Sequence, residues 1–340
     1  MFKHETLPSH PLGGREGLTA DPALAAAMER APGDARRDLQ TFLYDRPIAL
    51  SEPLRFVYPP LWVGHIPFAF WLMEAMQPRC LVELGTHSGN SYCAFLQALR
   101  GLGLSPACYA VDTWQDDPHA GYYGNEVYAE LSAHHDLLYG GFSHLLRMTF
   151  DDALGHFSDG SVDLLHIDGQ HTYEAVSHDV RSWLPKVSSR SLLLMHDINV
   201  RERDFGVWRV WEELCADYPS FTFLHSNGLG VAWTGSEPMP EPIAWLMSLS
   251  RAGDESRVAA VRDYFAHLGH GLIGRFWASW RQGHMEEQAR DIIRLNSELQ
   301  TLDARRADEV HQAIQHASSR SRSVTPRSPS HKPNLLRSIP

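Results

Sequence analysis

The chain has 340 residues, 43% of them hydrophobic, and a formal net charge of −11. That length suits one large domain with extensions or two modest domains, and the apolar share is enough for a sizeable core. The acidic balance repels phosphate backbones, so general nucleic-acid binding is not expected.

The N-terminal run MFKHETLPSHPLGG is polar and lacks the apolar stretch of a secretory leader. Residues 1–57 mix Pro, Gly and charge around one short helical stretch near Pro22–Arg37, and are read as an extension, packed or partly disordered. The most apolar segment, Phe56 to Met73, holds Pro59, Pro60, His65 and Pro67, which argues against a membrane span. The expectation is a soluble, cytoplasmic protein. Cys80, Cys93, Cys108 and Cys215 are too scattered for a zinc knuckle or a disulfide framework, and read as small buried hydrophobes.

Pro67 opens the apolar helix PFAFWLMEAM, which Pro78 closes. From Cys80, short strands alternate with helices: CLVEL, the helix NSYCAFLQALRGLG, then the strands CYAVD and LLRMTF and the short helix DDALGHF. VDLLHID precedes the helix TYEAVSHDVRSWL, and SLLLMHD precedes FGVWRVWEELCADY. FTFLHS and GLGVAWTG flank Asn227-Gly228, a strong hairpin signal. Alternation of this kind predicts an α/β fold with a doubly wound, mainly parallel sheet, and the hairpin predicts one antiparallel strand near its edge.

Residues 58–236 form this domain, and 237–317 form a helical C-terminal region. Within that region, 240–283 read as Trp- and Phe-rich helices. Residues 284–317 read as one long helix with Ile292, Leu295, Leu299, Leu302, Val310 and Ile314 at imperfect heptad spacing, so a short coiled coil and a packed helix are both open. Residues 318–340 turn to Ser, Pro and Arg without an acid and are expected to be a disordered basic tail.

The chemistry is expected at the carboxyl ends of the strands, where open α/β sheets bind ligands. Glu83-Leu84-Gly85-Thr86-His87-Ser88-Gly89 lies between a strand and a helix. Its acid-x-Gly-x-x-x-Gly spacing differs from the Gly-x-Gly-x-x-Gly of dinucleotide sites. It suits S-adenosyl-L-methionine (SAM), a cationic ligand with no pyrophosphate. Glu83, Gly85, Thr86, Ser88 and Gly89 are the candidate cofactor contacts. Asp112, at the end of the second strand, is placed to accept the ribose hydroxyls. Asp152, in the Asp151-Asp152 pair after the third strand, is a candidate for the adenine amino group, although helix capping explains the same residues. Asp168 after the fourth strand and His196-Asp197 after the fifth are placed to share a divalent ion, with room for Mg2+. His171, three residues past Asp168, suits a general base acting on a hydroxyl.

VELGTHSGNSY, VDLLHIDGQHTYEAVSHDV and LLLMHDIN resemble the class I SAM-dependent methyltransferases of the cephalosporin-hydroxylase-like and macrolide-sugar O-methyltransferase group. LWVGHIPFAFWLMEAMQP looks like bacterial members associated with surface-polysaccharide glycosyltransferases. The resemblance covers about residues 58–235. It implies a Rossmann-like seven-stranded sheet with a reversed last strand, and SAM held by Glu83, Gly85, the Gly89 loop and Asp112. It also implies magnesium at Asp168 and at Asp197 with His196, and His171 as the base. The sequence departs from the sugar enzymes at His196, where they carry an acid. His65 is shared with the polysaccharide-linked members. The function so implied is O-methylation of a sugar or other small hydroxylated acceptor, with a homo-oligomer left open. The alternatives are a metal-independent N-methyltransferase on the same scaffold, a non-catalytic module anchoring a glycan-assembly complex and, more distantly, an NAD-dependent oxidoreductase.

Overall fold

The computed structural model describes residues 45–115 and 124–322. The helical stretch expected near Pro22–Arg37 and residues 323–340 of the basic tail lie outside them. The chain divides into two compact units, Met1–Phe276 and Trp277–Pro340.

The first unit is built on β1 (Cys80–Leu84), β2 (Ala107–Asp112), β3 (Ser143–Arg147), β4 (Val162–Ile167), β5 (Val187–His196), β6 (Ser220–Phe223) and β7 (Leu229–Trp233). They form one seven-stranded sheet in the order 3-2-1-4-5-7-6. Strands β3 to β5 pair in parallel, and β7 runs antiparallel to both β5 and β6, which is the reversed last strand expected. The helices are α1 (Ile66–Met76), α2 (Asn90–Gly101), α3 (Asn125–Tyr139), α4 (Phe150–Ala153), α5 (Tyr173–Trp183), α6 (Val207–Asp217), α7 (Glu241–Ala252) and α8 (Glu255–Arg322).

Both sheet faces are covered, and alternate strand residues go to opposite cores. Leu164 joins the core shared with α1 and α2, whereas Leu165 joins the core shared with α5 and α6. Every residue of β4 is buried. So is nearly all of α1, whose apolar residues face every direction, as a helix sealed on all sides requires. Gln77 ends α1 in a left-handed conformation, its N–H bonded to the Met73 carbonyl.

The boundaries depart from the sequence in four places. Helix α3 was not foreseen, because it buries only Leu131, His135 and Tyr139, a stripe that is mostly not aliphatic. Strand β3 ends at Arg147, and the Thr-Phe read as its end belongs to α4, where Thr149 accepts a hydrogen bond from the Asp152 N–H. The break expected near 283 is absent, since α8 continues through Gly283. It also continues to Arg322, so 318–322 of the tail expected to be disordered are helical. In the second unit Ile292, Leu295, Leu299, Leu302, Val310 and Ile314 are exposed. No helix among the described residues is long and apolar enough to cross a membrane.

Candidate functional site

A cleft of about 1420 Å³ opens at the carboxyl ends of β1, β2, β4 and β5. Its first wall is the loop after β1. Gly85 has φ +85°, and a Cβ there would lie 2.1 Å from the Asp168 carbonyl oxygen, so only glycine lets the loops after β1 and β4 touch. The Gly85 N–H bonds to the Val111 carbonyl, and the Asp168 N–H to the Leu84 carbonyl, fixing three strand ends together. Gly89 has φ +79° and faces Leu131, which a Cβ would meet at 2.5 Å. Behind the loop, buried Arg55 donates from Nε to the Ser88 carbonyl at 2.7 Å.

Glu83 lies beneath this loop, fully buried and off the cleft wall. In register beside it on β4 stands His166, whose Nδ1 is 2.8 Å from Glu83 Oε2. Trp62 Nε1 donates to His166 Nε2 at 3.2 Å, so the proton of His166 sits on Nδ1 and is donated to the carboxylate. Burial raises the Glu83 pKa; the His166 bond and the nearby Ser91 hydroxyl oppose that rise. Glu83 Oε1 has no hydrogen-bond partner, and Ser91, beside it, lines the cleft. A buried carboxylate oxygen without a donor, next to a wall hydroxyl, suits a cationic ligand end.

At the end of β2, Asp112 lines the cleft. Its Oδ2 accepts from the Thr86 and His87 N–H groups at 2.9 and 2.8 Å, and its Oδ1 accepts from the Trp114 N–H at 2.7 Å. The carboxylate therefore braces the glycine loop and retains lone pairs toward the cleft. Asp152 is off the wall, because its carboxylate accepts from the Thr149 hydroxyl at 2.7 Å in a reciprocal helix cap. Its neighbour Asp151 lines the cleft, with Oδ1 2.8 Å from His178 Nε2.

Asp168, His171, His196 and Asp197, from the loops after β4 and β5, also line the cleft and approach one another. His171 Nε2 lies 2.8 Å from Asp197 Oδ2 and 4.0 Å from Asp168 Oδ1. The His171 ring stacks on Phe205, centroids 4.6 Å apart, and its backbone carbonyl accepts from the Gly206 N–H. The loops after β4 and β5 thus hold the imidazole from both sides. Burial lowers the His171 pKa, but the Asp197 bond and the charges of Asp197 and Asp168 outweigh it and leave it above 6.5. Asp197, itself at φ +60°, is pushed upward by burial, then pulled down further by His196 and His171 to about 2.

His196 lies between two carboxylates, those of Asp168 and Asp197. Burial opposes protonation, but Asp168 and Asp197 raise its pKa to about 9. Its Nδ1 is 3.3 Å from Asp168 Oδ1, and its Nε2 donates to the Ser226 carbonyl at 3.0 Å. The sequence placed His196 with Asp168 and Asp197 as a metal site; here its Nδ1 lies 3.3 Å from Asp168 Oδ1 and 3.4 Å from Asp197 Oδ1. The groups whose ligand atoms come within 4.8 Å of one another are Asp168, His171 and Asp197. His65 lies behind this wall. Burial first, then His225, holds its pKa well below 6.5, and its Nε2 donates to the same Ser226 carbonyl at 3.1 Å. One carbonyl thus fixes two imidazoles.

Eight sequence-selected residues reach the cleft: Gly85, Thr86, Ser88, Asp112, Asp168, His171, His196 and Asp197. Glu83, Gly89 and Asp152 do not line it. Part of the rim expected from Trp114–Tyr128 lies outside the described residues; Gln115 and Val127 line the cleft, as do Arg201 and Phe205 from the second expected rim. The sequence reading missed His166, Trp62, Ser226 and Asp179. His166 had a signal, an ionisable residue next to the Leu164-Leu165 pair inside a fully buried strand.

Residues 82–198 match the family model of a methyltransferase domain. The chain is 42% identical over 273 residues to "Uncharacterized protein y4gI" of Sinorhizobium fredii, covering 79% of this chain; it spans 28% of that relative's length. Among solved structures it is similar to the S-adenosylhomocysteine (SAH)-bound methyltransferase PaMTH1 of Podospora anserina (TM-score 0.38, 14% identity, 63% of this chain and 88% of that one). It is also similar to a putative caffeoyl-CoA O-methyltransferase from Staphylococcus aureus (0.40, 11%, 62% and 97%). A third is the O-methyltransferase TomG of Streptomyces achromogenes in complex with SAM (0.39, 14%, 64% and 91%).

Proposed function

We propose that the class I SAM-dependent methyltransferase domain within this chain methylates a hydroxyl of a small acceptor, a sugar or comparable polyol, with His171 as general base. The observation that carries the reading is the His171–Asp197 contact of 2.8 Å on the wall of the cleft that Asp112 also lines. An imidazole aligned by a buried carboxylate is a base held in one orientation, and its raised pKa strengthens it.

SAM fits the residues present. Gly85, Thr86 and Ser88 give a close backbone approach, Asp112 supports that loop, and Glu83 beneath it sets a buried carboxylate behind the wall. SAM supplies an electrophilic methyl group on a sulfonium. His171 Nε2–H is donated to Asp197, which keeps the ring oriented and leaves Nδ1 as the nitrogen to take the acceptor's hydroxyl proton. Stacking on Phe205 keeps the ring from turning away. Alignment of the hydroxyl with the methyl, rather than covalent help from the protein, supplies much of the rate.

The donor set also suits a divalent ion. Asp168 and Asp197 offer hard oxygens, and an ion between them would polarise the acceptor hydroxyl. A metal-independent reading has its own support, because His196 Nδ1 already stands 3.3 and 3.4 Å from the carboxylates of Asp168 and Asp197. Turnover with SAM and hydroxylated sugar acceptors, before and after EDTA treatment, separates the two. Retained turnover in His171→Ala would overturn the assignment of the base. Transfer to amines but not to hydroxyls would replace O-methylation with N-methylation.

A further inference from the structure

The second unit carries a surface that methyl transfer does not use. Every residue of α8 from Ala278 to His316 is exposed. Along it Ile292, Leu295, Leu299, Leu302, Val310 and Ile314 are each more than half exposed, as is Met285 before them. A monomer's surface scatters such side chains singly, whereas these recur on one helix face. Ile292, Leu295, Leu299 and Leu302 keep the 3-4-3 spacing of a coiled-coil seam, at positions a, d, a and d. Past Leu302 the steps lengthen to four, through Arg306 to Val310 and Ile314, as in a stutter that unwinds the supercoil locally. The apolar surface so presented is on the order of the ~800 Å² per partner that a standard interface takes.

The charges beside the stripe say what covers it. Two copies of α8 laid parallel in register would set Arg306 against its own copy in the seam and Glu298 beside Asp303, like charges in both places. Laid antiparallel about a dyad near Ser297, Ile292 meets Leu302 and Leu295 meets Leu299. Met285 then lies level with Val310, and Trp280 with Ile314. Arg306 meets the neutral Gln288, and Asp291 meets Arg305 on both sides of the seam. Glu298 faces its own copy at the dyad, a like pair outnumbered by the two Asp291–Arg305 pairs.

We propose that α8 pairs antiparallel with the α8 of a second copy of this chain, burying the stripe from Met285 to Ile314. Such a contact is isologous and closes at two chains. It stands apart from the reading of the cleft.

The test is sedimentation equilibrium of the full chain, which should give twice the mass of one chain at micromolar concentration. Leu299→Asp sets a carboxylate in the seam and should raise the dimer Kd about a hundredfold or more; Leu299→Ser serves should the aspartate unravel the helix. Ile293→Ser, off the stripe, should leave the Kd within about twofold. Asp291→Arg and Arg305→Asp should each weaken pairing about tenfold, and the double variant should recover most of the loss. The two positions meet only between antiparallel copies, since they lie about 21 Å apart along one helix. A single-chain mass at every concentration, or a dimer that both Leu299 variants leave intact, would overturn the proposal. Larger assemblies, or a double variant no better than either single one, would overturn the antiparallel pairing. A chain that stays single yet pellets with anionic lipid vesicles would give the stripe to a membrane surface instead.

Discussion

Strand β4 carries an aspartate near each end, and the two live differently. Asp163, near the amino end, is fully buried and fully served. It accepts from the Arg79 N–H at 2.8 Å, from Arg79 Nε and Nη2 at 2.9 and 3.1 Å, and from the Ser188 hydroxyl at 2.7 Å. Those bonds outweigh burial and hold its pKa below the ordinary carboxylate range. Asp168, just past the carboxyl end, has imidazoles at 3.3 and 4.0 Å and a cleft in front of it. One carboxylate ties β1, β4 and β5 together, while the other leaves binding capacity for a ligand. Sheet position separates a structural acid from a functional one.

The sharpest break of that comparison is at the functional end. His171→Ala should cost about 10²–10⁴ in kcat with little change in thermal stability, measured by methyl transfer and by melting. In wild type the acid limb of the kcat/KM profile should sit above pH 6.5, because His171 acts only after losing a proton held there by its carboxylates. A limb well below that value would remove His171 from the role.

At the amino end the pattern should invert. Asp163→Ala strips four hydrogen bonds from a buried site, and denaturant titration should show a loss of about 2–4 kcal/mol. SAH affinity of the folded fraction should not change. A parallel loss of affinity would mean that the two ends of β4 are coupled.

Asp179 lies between these extremes, buried as Asp163 is but without its donors. A carboxyl raised from 3.8 to about 7 on folding binds its proton more tightly in the native state. Its contribution to stability is therefore present below pH 3.8 and is lost as pH rises toward 7. Asp179→Asn cannot titrate, so ligand-free Asp179→Asn should match wild type near pH 4 and exceed it by about 2 kcal/mol at pH 8. That is less than the full shift would give, because the carboxyl faces the cleft and keeps part of its hydration. Equal stability curves from pH 4 to 8 would place Asp179 in water.

Legibility from sequence followed the same division. The strands and the hairpin were readable because alternate burial leaves apolar runs, and the glycine loop because strand-to-helix turns need glycine. Asp168, His171 and Asp197 were readable because they directly follow strand ends. Helix α3 was not, since its stripe runs through His135 and Tyr139. Nor was the setting of His196, whose Nε2 is bonded to the Ser226 carbonyl, thirty residues away in the chain and brought close only by the hairpin. Glu83 was read as a cofactor contact, yet its partner His166 is visible only once β1 and β4 are in register.

Asp152 gives the smallest effect. Spacing alone cannot separate a helix cap from a ligand contact, since both put an acid just after a strand. Here Thr149 and Asp152 serve each other at 2.7 and 3.1 Å, and Asp152 has turned from the cleft. Asp152→Ala removes half of that cap and one acid from the first turn of a four-residue helix. It should lower stability by about 0.5–1 kcal/mol and leave SAH affinity unchanged. Thr149→Ala should produce a similar loss, and the double variant less than the sum of the two, since each residue serves the other. A clear drop in SAH affinity for Asp152→Ala would restore Asp152 as the adenine contact.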